Sequence, residues 1–511
     1  MGEKGMRWLA AAAIVASFYW MLGAAPLFDV DEGAFSQATL EMFERGDFLS
    51  TYLNGEPRYD KPILVYWLQA AAVALLGPNE WAFRLPSAIC ATLWAWFTYL
   101  FVKRYYGVER GLFAAALLAT SLGVFIIGRA ATADALLNML IAASLFAAWQ
   151  HLATARRGWL YATHAAIGLG VLAKGPIAIL VPFATTLLYC WLRRDLRTWA
   201  RAVFDWRALL VLLVIALPWY VVILLKEGSG FVQGFFVKHN VGRFSGPVSG
   251  HGGSLLYYFP ALALLSLPFT ALVVLVAMRI RAIWRDELQT YLLLWFGFVF
   301  VFFSLSGTKL PHYVLYGYTG LVILMAVHSY QLRAVFWPLV PVLAFFAGLL
   351  ALPHALSYAA RHIGDPFYRE ILGAALGGFD TAYFVFYGMM CAITLYAMLE
   401  RVTPLPRKLM ALGFAAALSL GTLIVPLAGF AQQSAIKEAA LLCRERHLDV
   451  VTWQLNAPSF SVYRGAPTPS REPRPGDVVL TKASRLADLP AGLPYDLIYS
   501  KRGIVLAKIR A

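Results

Sequence analysis

Two short stretches put reactive side chains against an apolar background. "DVDEGAF" (29–35) places carboxylates at Asp29, Asp31 and Glu32 directly after the first apolar segment, and "YDKP" (59–62) sets Lys61 beside Asp60 just ahead of the second. Carboxylates can take a proton from a hydroxyl, and an ammonium can neutralise a phosphate. Nine of the 28 acids of the chain fall between residues 27 and 84, more than a linker needs.

The rest of the chain is mostly apolar. It is 60% hydrophobic and 14% charged over 511 residues, with a mean hydropathy of +0.65. Repeated apolar runs approach the ~20 residues that a spanning helix needs, so the composition describes a polytopic α-helical membrane protein. The net charge of +15 does not indicate nucleic acid, because Lys and Arg fall mainly in short loops between apolar runs, where they orient the chain in a membrane. Cys90, Cys190, Cys391 and Cys443 are scattered and form neither a disulfide framework nor a CxxC metal motif. The apolar N-terminus, "LAAAAIVASFYWMLGAAPLF", reads as a retained first helix with its basic end in the cytoplasm.

The segment "PILVYWLQAAAVALLG" (62–77) decides the topology. If it crosses, the positive-inside rule fails at every later basic loop. If it lies along the interface, the loops around Arg156, Arg193 to Arg207, Arg279 to Arg285 and Arg401 to Lys408 are all cytoplasmic. The interfacial reading predicts about thirteen transmembrane helices, an inner N-terminus and an outer C-terminus. Residues 1–430 then form the membrane domain, with a first outer loop at 27–84, and 431–511 form a small α/β domain outside. The tail changes character accordingly: the helical "QQSAIKEAALLCRER" precedes the β-patterned runs "LDVVTWQL", "DVVLTKA" and "YDLIYSKRGIVLAKI". In the first outer loop, Phe35, Ala38, Thr39, Met42 and Phe43 recur at helical spacing, with Gln37, Glu41 and Glu44 opposite and Gly46 at the end. This predicts an amphipathic surface helix over 33–45, followed by a turn at "NGEP" (54–57).

The ordered set "DE", "NGEPRYDKP", "EWAFRLPSA", "TADALL", "LAKGP", "VKHNVGRF" and "GTKLPHYVL" resembles the bacterial lipid-linked sugar transferases related to aminoarabinose transferase and protein O-mannosyltransferase, of the glycosyltransferase C superfamily. The resemblance implies an enzyme of the inner membrane that takes a sugar from a polyprenyl (undecaprenyl) phosphate carrier on the periplasmic face and moves it to lipid A, a glycan or a protein. It also has limits: aminoarabinose transferases read "DETRYAE" where this chain has "DEGAFSQ", and "EKP" where it has Asp60, Lys61 and Pro62.

The resemblance gives roles to particular residues. Lys61 and Arg243 match positions that bind the carrier phosphate, where a cation stabilises the departing anion; the alternative for each is a basic anchor snorkelling to lipid phosphate. Asp31 matches the catalytic acid, with Glu32 beside it to support the catalysis or to organise the helix start, and Asp31 equally suits the cap of the 33–45 helix. Asp134 has the same two readings, as a secondary site residue or as the cap of the next helix. Tyr59, Lys309, His312 and Tyr313 are expected to line the cavity. Asp60 and His239 are a possible divalent-metal pair, with two ligands remote in sequence. No other cofactor is implied beyond the sugar-bearing carrier as co-substrate; membrane lipids are the expected surroundings, and the oligomeric state is open. The competing classes are a lipid or solute transporter, which would carry ionisable groups near helix midpoints, and an oligosaccharide ligase with a diphosphate-linked donor.

Overall fold

The computed structural model describes residues 2–242, 252–332, 335–489 and 494–510, with side chains from 239 to 241 excepted. Helices dominate up to about residue 445. Among the described residues, seven are long and apolar enough to cross a membrane, starting with Glu80–Tyr106 (α4) and Asp134–Thr154 (α7). An eighth crossing results if Val108–Thr120 (α5) and Leu122–Arg129 (α6), bent by 68° at their junction, count as one. The bend sits at Ser121, whose backbone is extended, and Leu122 N–H, released from the helix ladder, donates to the Leu267 carbonyl at 2.8 Å. Glu3–Phe18 (α1) and Leu64–Leu76 (α3) are shorter, and α3 corresponds to the segment read as interfacial.

Local signals explain the element ends near the site. Asn79 caps α4 by accepting from Ala82 N–H at 3.0 Å. Gly46, at φ +64°, closes the helix Asp31–Arg45 (α2). Asn54 and Gly55, at φ +54° and +88°, turn a small hairpin that pairs Tyr52–Leu53 (β1) with Glu56–Pro57 (β2), the conformation that Asn-Gly favours. Large aromatic side chains fill the bundle, and two of the largest are fixed by their ring N–H groups: Trp94 Nε1 donates to Thr319 Oγ1 at 2.8 Å, and Trp295 Nε1 to the Tyr316 carbonyl at 2.7 Å.

The C-terminal segment is α/β, as its patterning predicts. Val450–Thr452 (β3), Val478–Lys482 (β4), Tyr495–Lys501 (β5) and Ile504–Ile509 (β6) form one sheet in the order β3-β4-β6-β5, with β3 parallel to β4 and the other pairs antiparallel. The helix Ser434–Glu445 packs on it, and a second helix, Pro458–Arg464, follows β3 and lies against α2.

That contact changes the reading of α2. Its polar face does not meet water: Gln37 and Glu41 are buried, and only Glu44 of the three expected outward residues is exposed. Glu41 accepts from Gln37 Nε2 at 2.9 Å and from the N–H groups of Asn54 and Gly55 at 2.6 and 3.0 Å. Glu41 and Gln37 of α2 hold the hairpin, while the C-terminal helix packs against α2.

Candidate active site

The site forms where the chain leaves α1 and enters α2. Glu32, in the first turn of α2, is 4% exposed and fully bonded. Its oxygens accept from Arg84 Nε (2.9 Å) and Nη2 (2.6 Å), from Ala131 N–H (2.8 Å) and from Phe28 N–H (2.8 Å). Arg84 also donates to the carbonyls of Leu22, Ala25 and Pro26. One carboxylate thereby ties the start of α2 to α4 and to the loop before α7. Glu32 is enclosed by protein donors, which gives it the organising role at the helix start that the sequence left open, and leaves its oxygens no lone pair for a substrate.

Asp31, its neighbour, is exposed. Val30 occupies the cap position of α2 with no side-chain cap bond, so Asp31 is not the helix cap. Its carboxylate stands where two cavities meet. One, of about 400 Å³, is mainly apolar, with Phe28, Phe125 and Val425 among its walls and Arg84 and Arg129 at its polar edge. The other, of about 280 Å³, is polar and takes in Arg58, Asp60, Lys61, Lys174 and Asn456. Val30, Asp31, Thr132, Asp134 and His312 line both.

Asp134 begins α7 behind Ala133, which holds the cap position, so it too is not a cap. Lys174 Nζ donates to its Oδ1 at 2.5 Å, Tyr316 OH donates at 3.2 Å, and His312 Nε2 lies 3.7 Å away. Burial pushes the His312 imidazole down to about 4, against the pull of Asp134, so the ring stays neutral at physiological pH. Arg58 reaches Asp60 at 3.3 Å and donates to Tyr66 OH at 3.2 Å, while Lys61 Nζ donates to the Asp60 carbonyl at 3.0 Å.

The structure thus gathers Asp31, Asp134, Lys61, Asp60 and His312 around shared walls. Other expected residues lie elsewhere. Lys309 is buried, with Nζ donating to the carbonyls of Ser304 and Ser306 at 2.8 and 2.7 Å; it closes the end of the helix Glu287–Leu305 instead of facing the cavity. Tyr59 donates to Glu227 Oε2 at 2.8 Å, and Tyr313 is buried among Phe303 and Tyr316; neither lines either cavity. Arg243 and the side chain of His239 lie outside the described residues. Of the possible metal pair, the described member, Asp60, already has the Arg58 guanidinium at its carboxylate, where it supplies the positive charge a cation would bring. No group of three or more His, Cys, Asp or Glu side chains able to hold a metal occurs among the described residues.

Sequence reasoning passed over Arg58 and Asn456 in the polar cavity, and Arg84 and Arg129 in the apolar one; Lys174 it placed on the outer side only as the anchor of a helix turn, whereas the structure pairs it with Asp134. Arg58, Arg84 and Lys174 stand inside the motifs "NGEPRYDKP", "EWAFRLPSA" and "LAKGP", so their positions were visible although their partners were not. Nothing local marks Asn456.

The helical bundle with a small C-terminal sheet, and the motifs along it, have counterparts in known proteins. Residues 60–221 match the family described as dolichyl-phosphate-mannose-protein mannosyltransferase. An undecaprenyl phosphate-alpha-4-amino-4-deoxy-L-arabinose arabinosyl transferase of Pseudomonas fluorescens is 34% identical over 331 residues, 62% of this chain and 56% of the relative. One from Pseudomonas aeruginosa is 32% identical, over 58% of this chain and 54% of its own length. The chain spans little more than half the length of these relatives. ArnT from Cupriavidus metallidurans, solved bound to undecaprenyl phosphate, superposes with a TM-score of 0.81 over 99% of this chain and 98% of that one, at 22% identity. At that identity the likeness is one of fold. The resemblance read from the motifs is borne out in sequence and in architecture.

Proposed function

We propose that this chain is an inverting glycosyltransferase that moves a sugar from a polyprenyl phosphate carrier, undecaprenyl phosphate by analogy with its relatives, to an acceptor at the outer face of the inner membrane. The observation that carries the reading is the position of Asp31: an exposed carboxylate between a polar cavity rich in cations and an apolar cavity large enough for part of an amphiphile.

In this reading the donor sugar phosphate occupies the polar cavity. An acceptor hydroxyl, entering from the apolar side, attacks the anomeric carbon. The new C–O bond forms as the bond from carbon to the phosphate oxygen breaks; the hydroxyl proton passes to Asp31, and the carrier departs as a phosphate monoester. Lys61 and Arg58 stabilise the charge that grows on the leaving oxygen, in a cavity where low dielectric strengthens the attraction. Asp134 is held ionised against Lys174 and orients neutral His312 toward the sugar. Glycan or protein hydroxyls fit this chemistry; a lipid A phosphate, the acceptor the motif resemblance implies, is already an anion, and Asp31 would then orient the sugar instead of taking a proton. The topology that accompanies this proposal is about thirteen crossings, with the N-terminus inside, residues 62–77 along the outer interface and residues 431–511 forming a domain outside.

Transfer from radiolabelled undecaprenyl phosphate sugars in detergent, set against donor translocation in liposomes, tests the reading. Labelled acceptor without translocation supports it. Translocation without transfer replaces it with a transporter.

A further inference from the structure

The helix Pro458–Arg464 is capped by a residue far away in the chain. Asp29 Oδ1 accepts from Ser459 N–H at 2.8 Å, and Oδ2 accepts from the Ser459 hydroxyl. A carboxylate at these first-turn donors does what a local N-cap residue normally does, and here none does it: Ala457 holds the cap position with no side-chain bond. The same short helix is fixed further along. Asn54 Oδ1 accepts from the Ser461 hydroxyl at 2.7 Å and from Thr468 N–H at 3.1 Å; Tyr463 OH accepts from Leu27 N–H at 2.7 Å and donates to Glu80 at 3.0 Å.

Gly33 is the residue that lets the two surfaces approach. A Cβ there would lie 2.2 Å from Asp29 Oδ1 and 2.4 Å from the backbone nitrogen of Ser459, and a backbone atom cannot step aside as a side-chain tip can. The glycine of "DEGAF", a departure from the resembled pattern, is therefore what admits the capped helix.

One residue before the cap position, Asn456 reaches the polar cavity that also holds Asp31, Lys61 and His312. Its carboxamide is exposed and makes no hydrogen bond to another described residue. Of the other charges lining this cavity, Arg58 meets Asp60 and Lys174 meets Asp134, while Asp31 and Lys61 are the groups assigned above to the reacting end of the donor. An uncharged group with two donors and an acceptor, set among such pairs, suits the hydroxyls of a sugar ring and gives no counter-charge to an amino or carboxylate substituent.

We infer that Asn456 contacts the sugar of the donor, making the C-terminal segment one wall of the substrate site, and that Asp29 is the positioning residue that sets Asn456 there through its cap on Ser459. This rests on the glycosyl-transfer reading and adds a selectivity to it: sugars uncharged at that edge are preferred over amino sugars.

The test compares wild type with Asn456→Ala, Asn456→Asp, Asp29→Ala and the double variant Asp29→Ala/Asn456→Ala, using undecaprenyl phosphate donors that carry a neutral hexose or an amino sugar. Asn456→Ala raises the donor KM roughly 3- to 10-fold, the worth of one neutral hydrogen bond, with kcat changed less. Asn456→Asp shifts the kcat/KM ratio toward the amino sugar. Asp29→Ala raises KM in the same way and speeds amide hydrogen exchange across 457–462, and the double variant is no worse in KM than Asn456→Ala alone. An Asn456→Ala enzyme with wild-type KM for both donors overturns the contact. An Asp29→Ala effect on KM that persists undiminished in the Asn456→Ala background overturns the positioning, and Asp29→Ala with wild-type KM and wild-type exchange across 457–462 does so too. A wild-type protein that transfers no sugar refutes the glycosyl-transfer reading itself, a different outcome from either.

Discussion

The guanidinium of Arg84 closes on both oxygens of Glu32, Nε to Oε1 at 2.9 Å and Nη2 to Oε2 at 2.6 Å, with both side chains buried. Removing one member strands the other without water, at a cost of about 3–5 kcal/mol. Glu32→Ala is therefore expected to lower the thermal midpoint by many degrees before any question of catalysis arises. A purified variant that melts with the wild type would show that the pair is not what holds the start of α2.

Asp31 invites the opposite substitution. Asn keeps its shape, and Val30, not Asp31, occupies the cap position, so Asp31→Asn is expected to fold normally and bind donor normally. With a hydroxyl acceptor, turnover should fall by ~10²-fold or more, since the group that takes the proton is gone. Single-turnover rates with defined donor and acceptor measure this; a rate near that of the wild type rejects the base.

Lys61 lines the polar cavity next to Arg58. Lys61→Ala should weaken binding of undecaprenyl phosphate by roughly 10- to 100-fold, the range for a charge-assisted contact, while the protein stays folded. Binding measured on the carrier alone separates this from chemistry. Unchanged affinity would make Lys61 a lipid anchor.

Asp29 gives stability a pH dependence of definite sign. Burial, offset in part by the Ser459 bonds, pushes its carboxyl up to about 7. A raised folded pKa means that the folded state holds its proton more tightly than the unfolded chain. Its contribution is thus fully present below about 4, declines as pH rises, and is gone above about 7. The difference in thermal midpoint between wild type and Asp29→Asn should change between those limits and be flat above them. A difference that is constant from pH 4 to 8 would mean that Asp29 titrates as an ordinary exposed acid.

Elements whose causes are local could be read from the sequence. The Asn54-Gly55 turn, the stop at Gly46 and the β-rich runs that become β3 to β6 are each dictated within a few residues, and each appears where expected. Helix α2 shows what cannot be read that way. Its polar stripe of Gln37 and Glu41 has the pattern of a water-facing surface, yet it faces the hairpin, and the C-terminal helix that packs on α2 is bonded to Asp29 from 430 residues away. Lys309 misled for a similar reason: an outward basic residue at a helix end suits a phosphate site and a carbonyl cap equally well, and only the direction of its side chain decides. The motifs singled out Asp31, Asp134 and Lys61, whereas Lys174 gains its meaning from Asp134, 40 residues earlier, which no spacing rule reports.

Because Asp31 belongs to the walls of both cavities, the two substrates have separate rooms with one common partition. In the proposed reaction neither must leave before the other arrives, and no sugar is parked on the protein between them. Initial-rate plots at several fixed acceptor concentrations should intersect instead of running parallel. Spent carrier should compete with fresh donor but not with acceptor, so the turnover of a cell's limited carrier pool can be throttled by product without closing the acceptor's door.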